Sequence, residues 1–206
     1  MDNEAAKDVV RRGYDALSAR YDEAYGGETK YGGWLEEVLA RLHGPSRVLD
    51  VGCGSGVPVA LTLAEAGHHV TGVDLSEVQI DRARAHVPAA TFIQADATTL
   101  DLPPGSFDAV LSFYALIHIP VDEQEPLLRR IAEWLRTGGL FVATIGATAW
   151  TGSEENWLGG DVPMWWSHAD ASTTRTWVEQ AGLVVEREDF IPEGPGGHTL
   201  LWATRV

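Results

Sequence analysis

Residues 48–56 read V-L-D-V-G-C-G-S-G, the stretch of this chain best suited to holding a ligand. Three apolar residues and Asp50 make a short buried strand. Gly52, Gly54 and Gly56 then let the backbone turn sharply and approach a ligand closely. A helix comes next, with Pro58 in its first turn, where a missing N–H costs little. Strand, glycine turn and helix together are how α/β sheets hold nucleotides. The spacing excludes two of the common ones. A dinucleotide turn needs G-x-G-x-x-G/A, and its third small position is Val57 here; a phosphate loop needs G-K-[ST], which is absent. Asp50 is out of place beside a phosphate and suits a ligand carrying an ammonium group.

Two further carboxylates stand at strand ends. The run H-H-V-T-G-V-D-L-S gives a second strand ending at Asp74, about 20 residues beyond the glycines, where a carboxylate can accept both ribose hydroxyls; no neighbouring Arg awaits a 2′-phosphate. T-F-I-Q-A-D-A gives a third strand ending at Asp96, and a fourth runs from Phe107 to Phe113. In open α/β sheets ligands bind outside the carboxyl ends of the strands, and this rule sorts the histidines. His43, His68, His69 and His86 precede strands. His118 comes after strand four and His168 lies in a long loop after strand five, on the ligand rim; the turn P-E-G-P-G-G is compatible with a reversed final hairpin, in which His198 begins the last strand at the same rim. Trp150, Trp157, Trp165 and Trp166 lie on the same rim and suit a flat organic molecule or a sulfonium cation; Trp177 belongs to a helix and the core. His168 with Asp170, and Glu193 with His198, lack the spacing of a zinc or facial-triad site, so no metal is expected.

The glycine stretch resembles motif I of the class I S-adenosylmethionine-dependent methyltransferases. In the order and spacing of its strands, helices and carboxylates, the chain resembles that family over roughly residues 14 to 146. The resemblance implies S-adenosylmethionine as cofactor, with Asp50, Gly52, Cys53 and Gly54 at the turn. It puts Asp74 and Leu75 at the ribose, and Asp96 on the adenine amino group with Ala97 giving a backbone contact. Phe113 and His118 fall beside the cofactor. Cys53, the single cysteine, serves there as a small packing residue. Tyr14-Asp15-Ala16-Leu17-Ser18-Ala19-Arg20-Tyr21-Asp22 resembles a tyrosine-rich pattern that precedes the core in many relatives, which puts Tyr21 against the methionine part of the cofactor. Tyr14, Tyr114, Trp157, Trp165 and Trp166 are the expected substrate wall. An acceptor that must lose a proton needs a base, and a rim histidine serves. His168, with Asp170 to orient it, is favoured slightly over His198. O-methylation of a small organic acceptor in natural-product metabolism leads; N- or S-methylation, or a cofactor-binding subunit without activity, are the alternatives. A nicotinamide reductase is disfavoured by Val57.

The elements that must position these residues can be read as well. The 206 residues suit one domain with a full core, and 45% hydrophobic content is ordinary for a globular chain. The expected fold is α/β: a Rossmann-like doubly wound sheet of about seven strands, with a reversed C-terminal hairpin strand and an N-terminal helical lid. Residues 1–44 form the lid, 45–146 the cofactor-binding core, 147–172 an aromatic substrate loop without periodicity, and 173–206 a helix and hairpin. In the lid, Ala5 to Tyr21 and Trp34 to Leu42 are helices, joined by a hinge with Gly26, Gly27, Gly32 and Gly33. Ser76 with Gln79, and Asp122 with Glu125, form capping boxes. Leu127, Leu128, Ile131 and Leu135 make the buried stripe of the helix after Asp122. A net charge of −15, with only Lys7 and Lys30 as lysines, would repel a polyanion, so no nucleic-acid substrate is expected. After strand four, Ser112-Phe113-Tyr114-Ala115 also lacks the N/D/S-P-P-Y/F of enzymes that methylate nucleic-acid amino groups. The acidic N-terminus, the absence of long apolar runs and the lone cysteine fit a cytoplasmic protein, monomer or homodimer, away from membranes.

Overall fold

The computed structural model describes residues 1–25, 30–194 and 196–206. Two helices, α1 (Asn3–Tyr25) and α2 (Lys30–Arg41), precede β1 (Arg47–Val51). Then come α3 (Val59–Glu65), β2 (His69–Asp74), α4 (Glu77–His86), β3 (Thr91–Gln94), β4 (Phe107–Ser112), α5 (Val121–Trp134) and β5 (Leu135–Gly146). The chain continues through β6 (Trp150–Glu154), β7 (Met164–His168), α6 (Ala171–Gln180), β8 (Leu183–Glu193) and β9 (Gly196–Arg205).

Seven strands form one sheet in the order β3-β2-β1-β4-β5-β9-β8. The first five are parallel, while β9 runs antiparallel to both β5 and β8. This is the doubly wound sheet with a reversed C-terminal strand that the sequence predicts. Alternation along each strand supplies two cores. Val48, Leu111, Val142 and Trp202 face one side, where Leu63 of α3 and Val38 of α2 join them. Leu49, Val110 and Phe141 face the other, under Leu127, Leu128 and Ile131 of α5 and Val178 of α6. The strand order reverses between β1 and β4, and the crevice outside the carboxyl ends there is where such sheets take ligands.

Several local expectations need correction. Gly32 and Gly33 lie inside α2, not in a hinge; Gly26 and Gly27 fall outside the described residues, as does Pro195 of the last turn. Ser76 does cap α4, accepting from the Gln79 N–H, but the Gln79 side chain turns to Ser18 instead of back to the cap. The Asp122 capping box does not form. α5 begins after Pro120, and Asp122 and Glu123 accept hydrogen bonds from Asn3 of α1 instead.

The largest correction concerns residues 147–172. They are not an aperiodic loop: β6 and β7 pair as an antiparallel two-stranded sheet, with Trp150 opposite His168 and Glu154 opposite Met164. The reason is a third hydrophobic cluster, separate from the main sheet. Trp157, Met164 and Trp165 of the hairpin region bury against Ala6 and Val10 of α1. Gly13 lets the two surfaces meet, since a Cβ there would lie 2.7 Å from the Met164 Cε. Helix and hairpin together make a roof over the carboxyl edge of the sheet.

Candidate active site

Beneath the roof lies a cleft of about 790 Å³, bounded by the β1 turn, the ends of β2 and β3, and α1. The turn after β1 meets the cleft at Gly52 and Gly54, and the glycine at 52 has a steric reason. Gly52 has φ +74°, and a Cβ on it would sit 2.1 Å from the Ala115 Cβ. The Gly52 and Cys53 N–H groups donate to the Val73 carbonyl at 2.7 and 3.0 Å, tying the turn to β2. Gly54 donates to Asp74 Oδ2, and Ser76 donates to Asp74 Oδ1, both at 2.9 Å. Each Asp74 oxygen therefore keeps acceptor capacity. Burial pushes its carboxyl up to about 6. Tyr21, Gly52, Gly54, Asp74, Leu75, Asp96, Ala97, Phe113 and His118, all expected cofactor residues, line this cleft.

Asp50 and Cys53 do not. Cys53 packs in the core under Gly72, consistent with its small size. Asp50 is 2% exposed and its Oδ2 has no hydrogen-bond partner. Burial, then the charge of Asp74, pushes its carboxyl up to about 7. Asp96 lines the cleft but is already engaged. Its Oδ2 accepts from Lys7 Nζ at 2.7 Å, and its Oδ1 from the Thr98 N–H and hydroxyl, each at 2.8 Å.

A second cleft of about 620 Å³ adjoins the first and shares Tyr14, Tyr21, Tyr114 and His118 with it. Its remaining wall includes Tyr31, Trp157, Trp166, Glu193 and His198. His118 Nδ1 lies 2.7 Å from the Trp165 carbonyl, which can only accept. The ring proton is therefore on Nδ1, and Nε2 accepts from the Tyr14 hydroxyl at 3.1 Å. Burial pushes His118 down to about 4, so it is neutral at pH 7. His118 belongs to both clefts as a neutral hydrogen-bonding residue.

His198 has a different setting. Its Nδ1 is 2.9 Å from Glu193 Oε2, and the Tyr114 hydroxyl donates to Glu193 Oε1 at 2.5 Å. The carboxylate fixes the tautomer with the proton on Nδ1 and leaves Nε2 as a base. Tyr114 holds φ +58°, uncommon for a tyrosine, and its N–H donates to the Thr144 hydroxyl. The hairpin of β8 and β9 brings Glu193 and His198 together, with Ile191 opposite His198.

The structure places the remaining expected residues apart from one another. His168, at the end of β7, lies beside Leu116, Gln124 and Ile145 and lines neither large cleft. Its Nδ1 is buried without a hydrogen-bond partner. Asp170 does not orient it; that carboxylate caps α6, accepting from the Thr173 N–H and the Ser172 hydroxyl. The β-strand geometry explains the difference, since Trp165 and Trp166 also point to opposite faces. Trp166 meets the second cleft, and Trp165 buries under α1. Lys7 and Glu193 are wall residues that the sequence does not place at the site. Lys7 shares a helical face with Val10 and Tyr14, at spacings of three and seven, and that signal was available. Glu193 becomes a partner for His198 only through the hairpin.

Comparison with known proteins agrees with this geometry. Residues 48–139 match a family model described as a methyltransferase domain. The 27-O-demethylrifamycin SV methyltransferase of Amycolatopsis mediterranei (strain S699) is 34% identical over 153 residues, covering 63% of this chain and 55% of that protein. The chain thus spans about half the length of that curated relative. An S-adenosylmethionine-dependent methyltransferase from Mesorhizobium loti is 27% identical with TM-score 0.67, covering 82% of this chain and 96% of that one. The 1,6-didemethyltoxoflavin-N1-methyltransferase of Burkholderia thailandensis, crystallised with its substrate and S-adenosylhomocysteine, shares the fold at TM-score 0.78 and 20% identity. That match covers 100% of this chain and 91% of the other.

Proposed function

We propose that this chain, which belongs to the class I S-adenosylmethionine-dependent methyltransferase family, transfers a methyl group to a hydroxyl of a small organic acceptor. The supporting observation is the meeting of two clefts, one built from the glycine turn and three carboxyl-edge loops, the other walled by aromatic rings and a carboxylate-held histidine. The first cleft fits the cofactor. Its turn faces the cleft with Gly52 and Gly54, Asp74 retains acceptor capacity for two ribose hydroxyls, and Asp96 with Ala97 lies where the adenine edge would be read. Tyr21, Leu75, Phe113 and His118 complete the wall. When bound, S-adenosylmethionine supplies an electrophilic methyl group on a sulfonium.

The protein's own work is alignment, exclusion of water and removal of a proton. Tyr14, Tyr114, Trp157 and Trp166 give the acceptor flat walls. Nε2 of His198 takes the hydroxyl proton, and Glu193 stabilises the imidazolium that forms. A base in the acceptor cleft favours a group that must lose a proton, which is why a hydroxyl leads over a neutral amine. His168 keeps no part in this scheme. Incubation with S-adenosylmethionine and a panel of hydroxylated, amine and thiol ring compounds should give S-adenosylhomocysteine and a methylated product with the hydroxyl class. His198→Gln should lower kcat by roughly 10²–10⁴ with cofactor affinity kept. Cofactor binding without turnover across the panel would favour a non-catalytic subunit instead.

A further inference from the structure

Lys7 is one of two lysines in the chain and is 8% exposed, a setting a charged side chain rarely occupies without partners. Three lie within hydrogen-bonding distance of its Nζ, Asp96 Oδ2 at 2.7 Å, Thr98 Oγ1 at 3.1 Å and Glu123 Oε2 at 2.5 Å, and the exposed Glu4 carboxylate pairs with it more loosely at 3.6 Å. An ammonium group has three N–H donors and no acceptor, so all three are engaged by the protein. Thr98 is used in the same closed way: its hydroxyl proton goes to Asp96 Oδ1 while its oxygen receives Lys7. Asp96 accepts from the Thr98 N–H, the Thr98 hydroxyl and Lys7, three of the roughly four acceptor positions of a carboxylate. Both Lys7 and Asp96 border the cleft.

We propose that Lys7 is a positioning residue that holds Asp96 as an acceptor while its own N–H groups and the Thr98 hydroxyl stay turned to the protein, so that the purine bound there is selected for a donor at position 6. The inference rests on the reading of Asp96 as the adenine contact. A 6-amino purine satisfies the remaining lone pair of Asp96; a 6-oxo purine sets oxygen against oxygen. The charge state follows from the same contacts. Burial opposes the charge on each group, but their mutual hydrogen bonds hold Lys7 above its ordinary range and Asp96 below its own. Without Lys7, the carboxylates of Asp96 and Glu123 face one another across its place. Loss of the cation removes one of the contacts that keep Asp96 charged against its burial, and a protonated Asp96 can donate to a 6-oxo group.

The test is calorimetric titration with S-adenosylhomocysteine and with S-inosylhomocysteine, its 6-oxo counterpart. Wild-type protein should prefer the former by about 10- to 100-fold, the range of one buried group left facing a like partner. Lys7→Met should narrow that preference several-fold, and Lys7→Arg, which keeps the cation, should restore it. Thr98→Val supplies an independent route, because it releases one Lys7 N–H toward the ligand and should also narrow the preference. A purely structural role for Lys7 predicts equal weakening toward both ligands. An unchanged ratio in both Lys7→Met and Thr98→Val therefore overturns the proposal. Asp96→Asn separates the underlying reading: if the ratio survives that change while S-adenosylhomocysteine still binds, Asp96 is not the purine contact and the proposal falls with it. Failure of wild-type protein to bind either ligand removes the cofactor assignment of the cleft itself.

Discussion

Asp74, half-buried, and Asp50, buried, are neighbouring carboxylates on adjacent strands, and their partners decide what each can do. Asp74 receives two backbone N–H groups, which hold its carboxylate facing the cleft. Asp74→Ala should weaken S-adenosylmethionine binding by 100-fold or more, since two hydrogen bonds to a charged group are lost at roughly 1.5–3 kcal/mol each. An unchanged Kd would remove the ribose assignment. With its carboxyl at about 6, affinity should also fall as pH drops through 6, because the protonated group accepts less well. Asp50 has an orphaned oxygen. Its folded-state value of about 7 stands above the unfolded value of about 3.9, so folding is favoured most below pH 4 and that contribution is lost as pH rises through 7. Asp50→Asn abolishes this titration. The variant should be more stable than wild type at pH 8, by about one to a few kcal/mol, and the gap should close toward pH 4. Equal urea midpoints at pH 8 would mean that the carboxylate finds compensation elsewhere.

At the scale of elements, α1 walls both clefts and forms half of a small core. It carries Tyr14 and Tyr21 into both clefts and Lys7 into the first, and it is tied down by polar contacts along its length. Asp15 accepts from the Ser76 hydroxyl, Ser18 donates to Gln79, and Asp22 accepts from Ser55 and Arg82. Removing residues 1–25 should therefore reduce cofactor affinity by roughly tenfold or more and uncover Trp157 and Trp165, visible as a red shift in tryptophan emission. Unaltered cofactor affinity and turnover would refute the lid. The helix itself was legible from its apolar spacing, as were the glycine turn and the strand-end aspartates, because each depends on residues close in sequence. The β6–β7 hairpin was not. Its strands are joined through residues 155–163 rather than a two-residue turn, and adjacent Trp165 and Trp166 mask the alternation that marks a strand. The pairing of Lys7 with Asp96 lies 89 residues apart, a distance over which no local pattern operates.

At the scale of the whole molecule, the described residues form three apolar clusters, two on the faces of the seven-stranded sheet and one between α1 and the hairpin. They are unequal. The sheet clusters interlock through strands whose residues are close to fully buried, whereas the roof cluster joins one helix to a two-stranded ribbon, a unit marginal on its own. The same inequality explains why a parallel doubly wound sheet could be anticipated from strand and helix alternation while the roof could not: the sheet is specified by repeated local pattern, the roof by a few long-range contacts. It also sets the expected dynamics. The roof should open at a lower free energy than the sheet, giving faster amide exchange in α1 and β6–β7 than in β1, β4 and β5. A ligand held between the two must couple them. Saturating S-adenosylhomocysteine at 100 times its Kd should stabilise the protein by about 2.7 kcal/mol, a rise in Tm on the order of 5–10 °C for a chain of this size. Its added protection should concentrate in α1, the hairpin and the Gly52–Gly54 turn. Protection spread evenly over the sheet, with α1 unchanged, would mean that the ligand binds without the roof and that α1 has no part in holding it.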